Sequence, residues 1–210
     1  TGDYNTAVGY AALDAITTSN YNTALGWGAG GSTANTTGAQ NTFIGGEAGN
    51  QIINKNDHTF VGYRAGATNR AGYGSTIIGS TAGYAPSGAT YSGSANLFAG
   101  YGAGLHIGGS SVVALGAYAG YYTTGSSNTF VGKQAGYGGT TSAPYSSGEK
   151  NVAVGLEALK DFTTGNDNTA LGYLAAHNFT VAGHNTALGS EALASEDVGD
   201  FTVAIGYRTG

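Results

Sequence analysis

Three glutamates, Glu47, Glu157 and Glu191, each stand two places after a glycine that recurs along this 210-residue chain. Two carboxylates facing each other across a glycosidic bond are what sugar hydrolysis requires. The corresponding places between them hold Arg64 and Leu174. Glu157 and Glu191 are two repeats apart, on the order of 9–10 Å by strand spacing, a separation an inverting pair could use. No other acids converge with them, so solvated charges on an outer face are the expectation, and no catalytic residue is assigned. The four histidines, His58, His106, His177 and His184, occupy different places in the repeat. A zinc site needs its ligands brought together, and none is expected. Asp3 in Gly-Asp-Tyr-Asn and Asp167 in Gly-Asn-Asp-Asn have oxygen-rich neighbours that would suit calcium; side-chain hydrogen bonds closing a turn are the ordinary explanation. No glycine-rich stretch leads into Lys-Ser/Thr and a helix, so there is no phosphate loop. No metal or cofactor is expected.

Tyrosine offers a different chemistry, contact rather than catalysis. Two long insertions read Tyr84-Ala-Pro-Ser-Gly-Ala-Thr-Tyr91 and Tyr137-Gly-Gly-Thr-Thr-Ser-Ala-Pro-Tyr145. Tyrosine brings large contact area at small rotamer cost, and Ser and Gly adapt around it. The candidate ligand contacts are Tyr84, Tyr91, Tyr137 and Tyr145, with Tyr121 and Tyr122 as the floor of a groove between the insertions. Hydroxyl-rich rims and tyrosine faces without a charge cluster suit a cell-surface polysaccharide or a host receptor bearing one.

These residues hang on a repeat. Twelve glycines, Gly9, Gly26, Gly45, Gly62, Gly79, Gly100, Gly116, Gly132, Gly155, Gly172, Gly189 and Gly206, are spaced by 17, 19, 17, 17, 21, 16, 16, 23, 17, 17 and 17 residues. The residue before each is apolar, as in Val8, Val154 and Leu171; the one before that is Ala, Phe or once Ile. Alanine follows three places later in eleven copies, and Leu, Gly or once Ala comes next. Such periodicity marks a solenoid. A 17-residue coil with short β-branched and aromatic runs predicts two short strands per coil. In Thr6–Tyr10, Thr6, Val8 and Tyr10 share one face and Asn5, Ala7 and Gly9 the other. Both faces are small or apolar, so one lines the coil and the other is covered by a further copy of the chain. Val154 and Leu171 are expected in the inner column, and the tyrosines after the glycines in a packing row. The recurring Asn four places before the glycine predicts a stacked amide ladder, although His58, Ser75, Val112 and Thr202 interrupt it. A second glycine seven places before the first, in nine copies, predicts a turn with positive φ.

Composition agrees with order by stacking. There are 39 glycines and two prolines, with 40% of residues apolar. The glycines have no three-residue period, which excludes collagen. Stacked at about 4.8 Å, twelve coils would form a rod roughly 55–60 Å long. There is no cysteine, no run of 18 apolar residues for a membrane span and no visible signal peptide. The chain begins and ends within a repeat, so a fragment of a longer fibrous protein is expected, one repeat domain over 1–210 with enlarged loops at 31–40, 84–95 and 137–149. The net charge is −5 and the seven Lys and Arg never cluster, which argues against nucleic acid.

The segments Asn22-Thr-Ala-Leu-Gly-Trp-Gly-Ala-Gly, Asn168-Thr-Ala-Leu-Gly-Tyr-Leu-Ala and Asn185-Thr-Ala-Leu-Gly-Ser-Glu-Ala-Leu resemble repeats of phage tail fibres. In such fibres the repeats often lie upstream of an intramolecular chaperone domain. They are also similar to the head repeats of trimeric autotransporter adhesins. That resemblance implies an all-β, left-handed parallel β-roll built as a homotrimer, located outside the cell on a virion or cell surface. It also implies a non-enzymatic role in structure and host attachment. The longer period and the Tyr and Phe content favour the fibre over the adhesin head, with a polysaccharide depolymerase as a third reading.

Overall fold

In the computed structural model, which describes residues 2–31, 37–68, 72–85, 93–139, 145–195 and 199–210, the chain is an all-β parallel solenoid of twelve coils. Each coil contributes one three-residue strand: β1 (Thr6–Val8), β2 (Thr23–Leu25), β3 (Thr42–Ile44), β4 (Thr59–Val61), β5 (Thr76–Ile78), β6 (Leu97–Ala99), β7 (Val113–Leu115), β8 (Thr129–Val131), β9 (Val152–Val154), β10 (Thr169–Leu171), β11 (Thr186–Leu188) and β12 (Val203–Ile205). They form one sheet in chain order, with every repeat in register with the next, as in Ala24 beside Phe43 and Phe43 beside Phe60.

The expected second strand is absent from the described residues, and backbone handedness explains why. In every coil the residues two and four places after the glycine have positive φ, from Ala11 and Leu13 in the first coil to Glu191 and Leu193 in the eleventh. The alanine between them donates its N–H to the carbonyl of the strand glycine, as Ala48 does to Gly45 at 3.2 Å. Asn50 then donates to Glu47, and Ile52 to Gly49, each at 3.2 Å. A bond from the fourth residue to the first, with positive φ at the third, is the pattern of a type II turn. Overlapping turns of this kind leave no extended run to pair.

Close approach between stacked coils accounts for the strand glycine and for several of the earlier glycines, a place that Ser19, Lys55 and Ala182 hold in three coils. The strand glycine has φ near +130° throughout, and a Cβ on Gly62 would sit 2.6 Å from the carbonyl oxygen of Gly79. The earlier glycine does not supply a positive φ as expected. It instead permits close approach: a Cβ on Gly93 would lie 1.9 Å from the carbonyl of Gly109. Left-handed φ falls two residues later, at Tyr4, Asp57, Asp167 and their equivalents in all twelve coils.

The inner face of the sheet is the opposite of the one expected for Val154 and Leu171. Ala24, Phe43, Phe60, Ile77, Phe98, Phe130 and Ala170, one place earlier, are buried and form the core with the alanine row from Ala29 to Ala192. Leu25, Ile78 and Leu171 remain 48%, 44% and 43% exposed. The turns fold back beneath the side of the strand that carries Ala or Phe, so that side is closed within the chain. The other side is not.

The amide row does close the coils. Asn41 Oδ1 accepts from the His58 N–H at 3.0 Å, while Asn41 Nδ2 donates to the Lys55 carbonyl at 2.9 Å. The same double bond recurs at Asn151, to the Asn168 N–H at 2.9 Å and the Gly165 carbonyl at 2.9 Å. His58 continues the row instead of breaking it. Its Nδ1 accepts from the Ser75 N–H at 3.2 Å and its Nε2 reaches the Gly72 carbonyl at 3.1 Å, the two contacts an asparagine would make. Ser75 Oγ accepts from the Asn96 N–H at 3.2 Å. The series of acceptors stops at Val112 and resumes at Asn128. Leaving one such buried amide unsatisfied costs about 1–3 kcal/mol.

Candidate surface-recognition site

Four of the six tyrosines proposed from sequence come together. Tyr121 and Tyr137 stack at 5.3 Å with ring planes 8° apart, because both stand five places after their strand glycine in adjacent coils. Tyr122 lies edge-on to Tyr121 at 4.5 Å and stacks on Tyr145 at 5.5 Å. Tyr145 reaches this position because Ser146 pairs with Thr123, joining the end of the long insertion to the coil below. His106 packs on Tyr122 at 4.9 Å and on Tyr145 at 4.8 Å. Tyr118 and Tyr101 extend the row through edge contacts of 5.4 and 5.3 Å. The result is one continuous bank of seven rings, its tyrosines half-buried save Tyr101, which is exposed.

Packing sets the chemistry of this bank. Burial, reinforced by the neighbouring tyrosines, pushes the Tyr121 hydroxyl up to about 12. Burial also raises Tyr137, which shares a hydrogen bond with Tyr122, and lowers His106 to about 4. Tyr121, Tyr137 and His106 are therefore neutral near pH 7 and present ring faces and hydroxyls without charge. His106, Tyr118 and Tyr101 were not among the ligand contacts expected from sequence. The signal existed: aligned on the strand glycine, His106 and Tyr122 both fall six places after it.

Tyr84 belongs elsewhere, beside Arg64, whose guanidinium carbon lies 5.8 Å from its ring centroid. Tyr91, the centres of all three enlarged loops and with them the groove expected between the two larger insertions lie outside the described residues. The tyrosines after the strand glycines do not form an internal packing row. Tyr10, Trp27, Tyr63, Tyr101, Tyr173 and Tyr207 are exposed, beside the exposed row of Leu25, Ile78 and Leu171.

The glutamates are each held by cations. Glu47 Oε2 accepts from Arg64 Nε, and Glu191 Oε2 accepts from Arg208 Nε at 2.6 Å. Glu157 Oε2 accepts from Lys160 Nζ at 3.0 Å and contacts His177 Nε2 at 3.3 Å. The lysine hydrogen bond holds the Glu157 carboxyl below its ordinary range, opposite to the shift a general acid needs. Asp3 and Asp167 engage neighbouring coils through their backbone N–H groups. His184 stacks on Phe201 at 4.9 Å. Among the described residues no three His, Cys, Asp or Glu side chains are grouped to hold a metal, and no helix is long and apolar enough to cross a membrane.

No protein-family model, curated protein or solved structure matches the chain.

Proposed function

We propose that this chain is a non-enzymatic segment of a trimeric extracellular fibre, of the kind carried by phage tails, which presents tyrosine-rich surfaces to cell-surface glycan. The observation that carries the reading is the outer face of the sheet. Three side-by-side rows run its length: threonine, valine or once leucine, then the apolar row from Val8 to Ile205, then the aromatic-rich row from Tyr10 to Tyr207. Lys133 is the single charged residue in these three rows. Contiguous apolar surface on this scale marks an interaction face. The in-register stacking makes the face straight and self-similar along its length, so copies of the same chain are its natural cover. Homo-oligomers favour closed symmetry, and three chains around one axis give each sheet two neighbours. A narrow coil encloses little core by itself, so association also supplies the missing burial.

Sedimentation equilibrium on the full chain tests this reading. A mass of three chains is expected, and Leu171→Asp together with Ile78→Asp should yield a folded single chain. Because both side chains are exposed within one chain, each substitution should alter the chain's own stability by less than about 1 kcal/mol. A well-folded wild-type monomer would overturn the trimer. The glycan contact is tested by adsorption to host cells before and after removal of surface polysaccharide. The bacterial adhesin head shares the same architecture and differs in target. Adsorption to protein instead of glycan would favour it.

A further inference from the structure

A cleft of about 130 Å³ opens on the surface across the third, fourth and fifth coils, remote in sequence from the bank of tyrosines. Glu47, Asn50, Gln51, Arg64, Thr68 and Tyr84 line it. We propose that this cleft is a subsite for a single neutral sugar ring. The inference rests on the glycan reading above and names where one residue of that glycan sits.

Size is the first argument. An enclosed cavity of about 150 Å³ holds a benzene ring, so an open cleft of about 130 Å³ is on the scale of one ring and not of an oligomer lying within it. Charge is the second. Arg64 is tied to Glu47 through Nε, so the cleft carries one cation and one anion in contact. An anionic ligand would have to displace Glu47 and then face it; a cationic ligand would meet Arg64 in the same way. Neutral polar ligands face neither conflict. Donor and acceptor supply is the third. The ion pair uses only Glu47 Oε2 and Arg64 Nε, leaving Glu47 Oε1 and both outer guanidinium nitrogens without a partner among the described residues. A carboxylate oxygen can accept from one hydroxyl while the guanidinium N–H groups beside it donate to the neighbouring hydroxyl, the demand of a vicinal diol. Asn50 adds an amide on the same rim, its Nδ2 anchored to the Gly28 carbonyl at 3.2 Å.

The site is also held in place. The guanidinium carbon lies 5.2 Å from the Tyr63 ring centroid and 5.8 Å from that of Tyr84. Thr68 Oγ1 both accepts from the Ala85 N–H and donates to its carbonyl at 2.6 Å, tying Ala85, next to Tyr84, to the coil below. Tyr84 is half-buried and offers ring surface toward the cleft. The chain contains its own control: Glu191 and Arg208 repeat the ion pair, but Ala194 and Ser195 stand where Asn50 and Gln51 do. That pair lacks the amides.

Saturation-transfer NMR on the full chain with the methyl glycosides of glucose, galactose and mannose tests the proposal, with methyl glucuronide as the anionic probe. At least one neutral glycoside should bind, with Tyr84→Ala and Glu47→Gln each weakening it at least about tenfold. Tyr84→Phe should retain binding, which separates loss of contact from loss of fold, and Glu191→Gln should change nothing. Binding of glucuronide alone overturns the proposal. So does neutral binding that survives Tyr84→Ala and Glu47→Gln, or is lost in Tyr122→Ala instead; the glycan reading then stands at the other site. If no glycoside binds but host polysaccharide still adsorbs, the subsite falls and the glycan reading survives. If neither binds, both fall.

Discussion

The central coils and the last coils fill the same cross-section in opposite ways. Around β3, β4, β6 and β8 the strand supplies a phenylalanine, Phe43, Phe60, Phe98 or Phe130, and the turn six residues later supplies glycine, Gly49, Gly66, Gly104 or Gly136. In the coils of β9 and β11 the strand supplies Ala153 or Ala187 and the turn supplies Leu159 or Leu193, fully buried. A Cβ on Gly66 would lie 2.3 Å from the Phe60 ring, and one on Gly136 only 2.1 Å from Phe130. One large group fits at this level of the coil, from one side or the other. The coil of β10 uses neither: Ala170 and Ala176 are both small and buried, and the large buried groups nearby in sequence are Phe162 and Phe179, each seven places after its strand glycine. The two solutions differ in cost. Leu159 and Leu193 are held at φ of 50° and 51°, a region that penalises an L-residue by about 1–2 kcal/mol. The phenylalanine coils avoid this with glycine.

Exchanging the two solutions breaks the comparison most sharply. Phe130→Ala alone should cost about 3–5 kcal/mol by emptying the core. Gly136→Leu alone should cost about 3 kcal/mol through crowding and left-handed strain. Together they recreate the pattern of β9 and β11, so the double variant should be at least about 2 kcal/mol more stable than the sum of the singles. Calorimetric melting of the four proteins measures it. Additive losses would show that the two residues do not share one space.

Acid should separate the same two regions. His58 and His106, in the fourth and sixth coils, are both lowered to about 4, chiefly by burial. For His58 the hydrogen bond to the Gly72 carbonyl of the next coil and the charge of Asp57 oppose the shift, and Lys55 adds to it. Between about 4 and the ordinary value of 6.5 the unfolded chain binds more protons than the folded one. Stability is therefore complete above about pH 6.5 and falls as pH drops toward 4, by at most about 3 kcal/mol from His58. Hydrogen exchange at pH 5 should show the central coils loosening before those of β9 to β11. His58→Asn should remove its share, because asparagine makes both of its contacts without titrating. Uniform acid loosening along the rod would count against this.

The smallest effect belongs to the last coils. Glu191→Ala removes an ion pair whose arginine side chain is 65% exposed, and melting should shift by no more than about 0.5 kcal/mol.

Much of the fold was legible before any coordinates. Gly9 to Gly206 set twelve coils, and the triplets before them became the twelve strands, because a short β-branched run ending at glycine has one pairing register when every repeat repeats it. The exclusion of a second strand was not legible, since residues such as Glu47, Arg64 and Leu193 carry no general preference for positive φ; the stacked turns impose it. The tyrosine bank was half legible. Tyr121, Tyr122, Tyr137 and Tyr145 could be named, but their union with His106 depends on coil-to-coil register across an insertion of irregular length.

The sequence by itself determined the period, the number of coils, the parallel in-register stack and the amide row, all consequences of one motif written twelve times. Tertiary structure alone decided which face of the strand is inside. Alternation separates Val8 from Ala7, yet both faces are apolar, and hydrophobicity cannot choose between them. The choice is made by the turn, which folds its alanine and its glycine or leucine under one side of the strand. Phe60 and Gly66 record that choice in their sizes, six residues apart and meaningful only once the coil has closed.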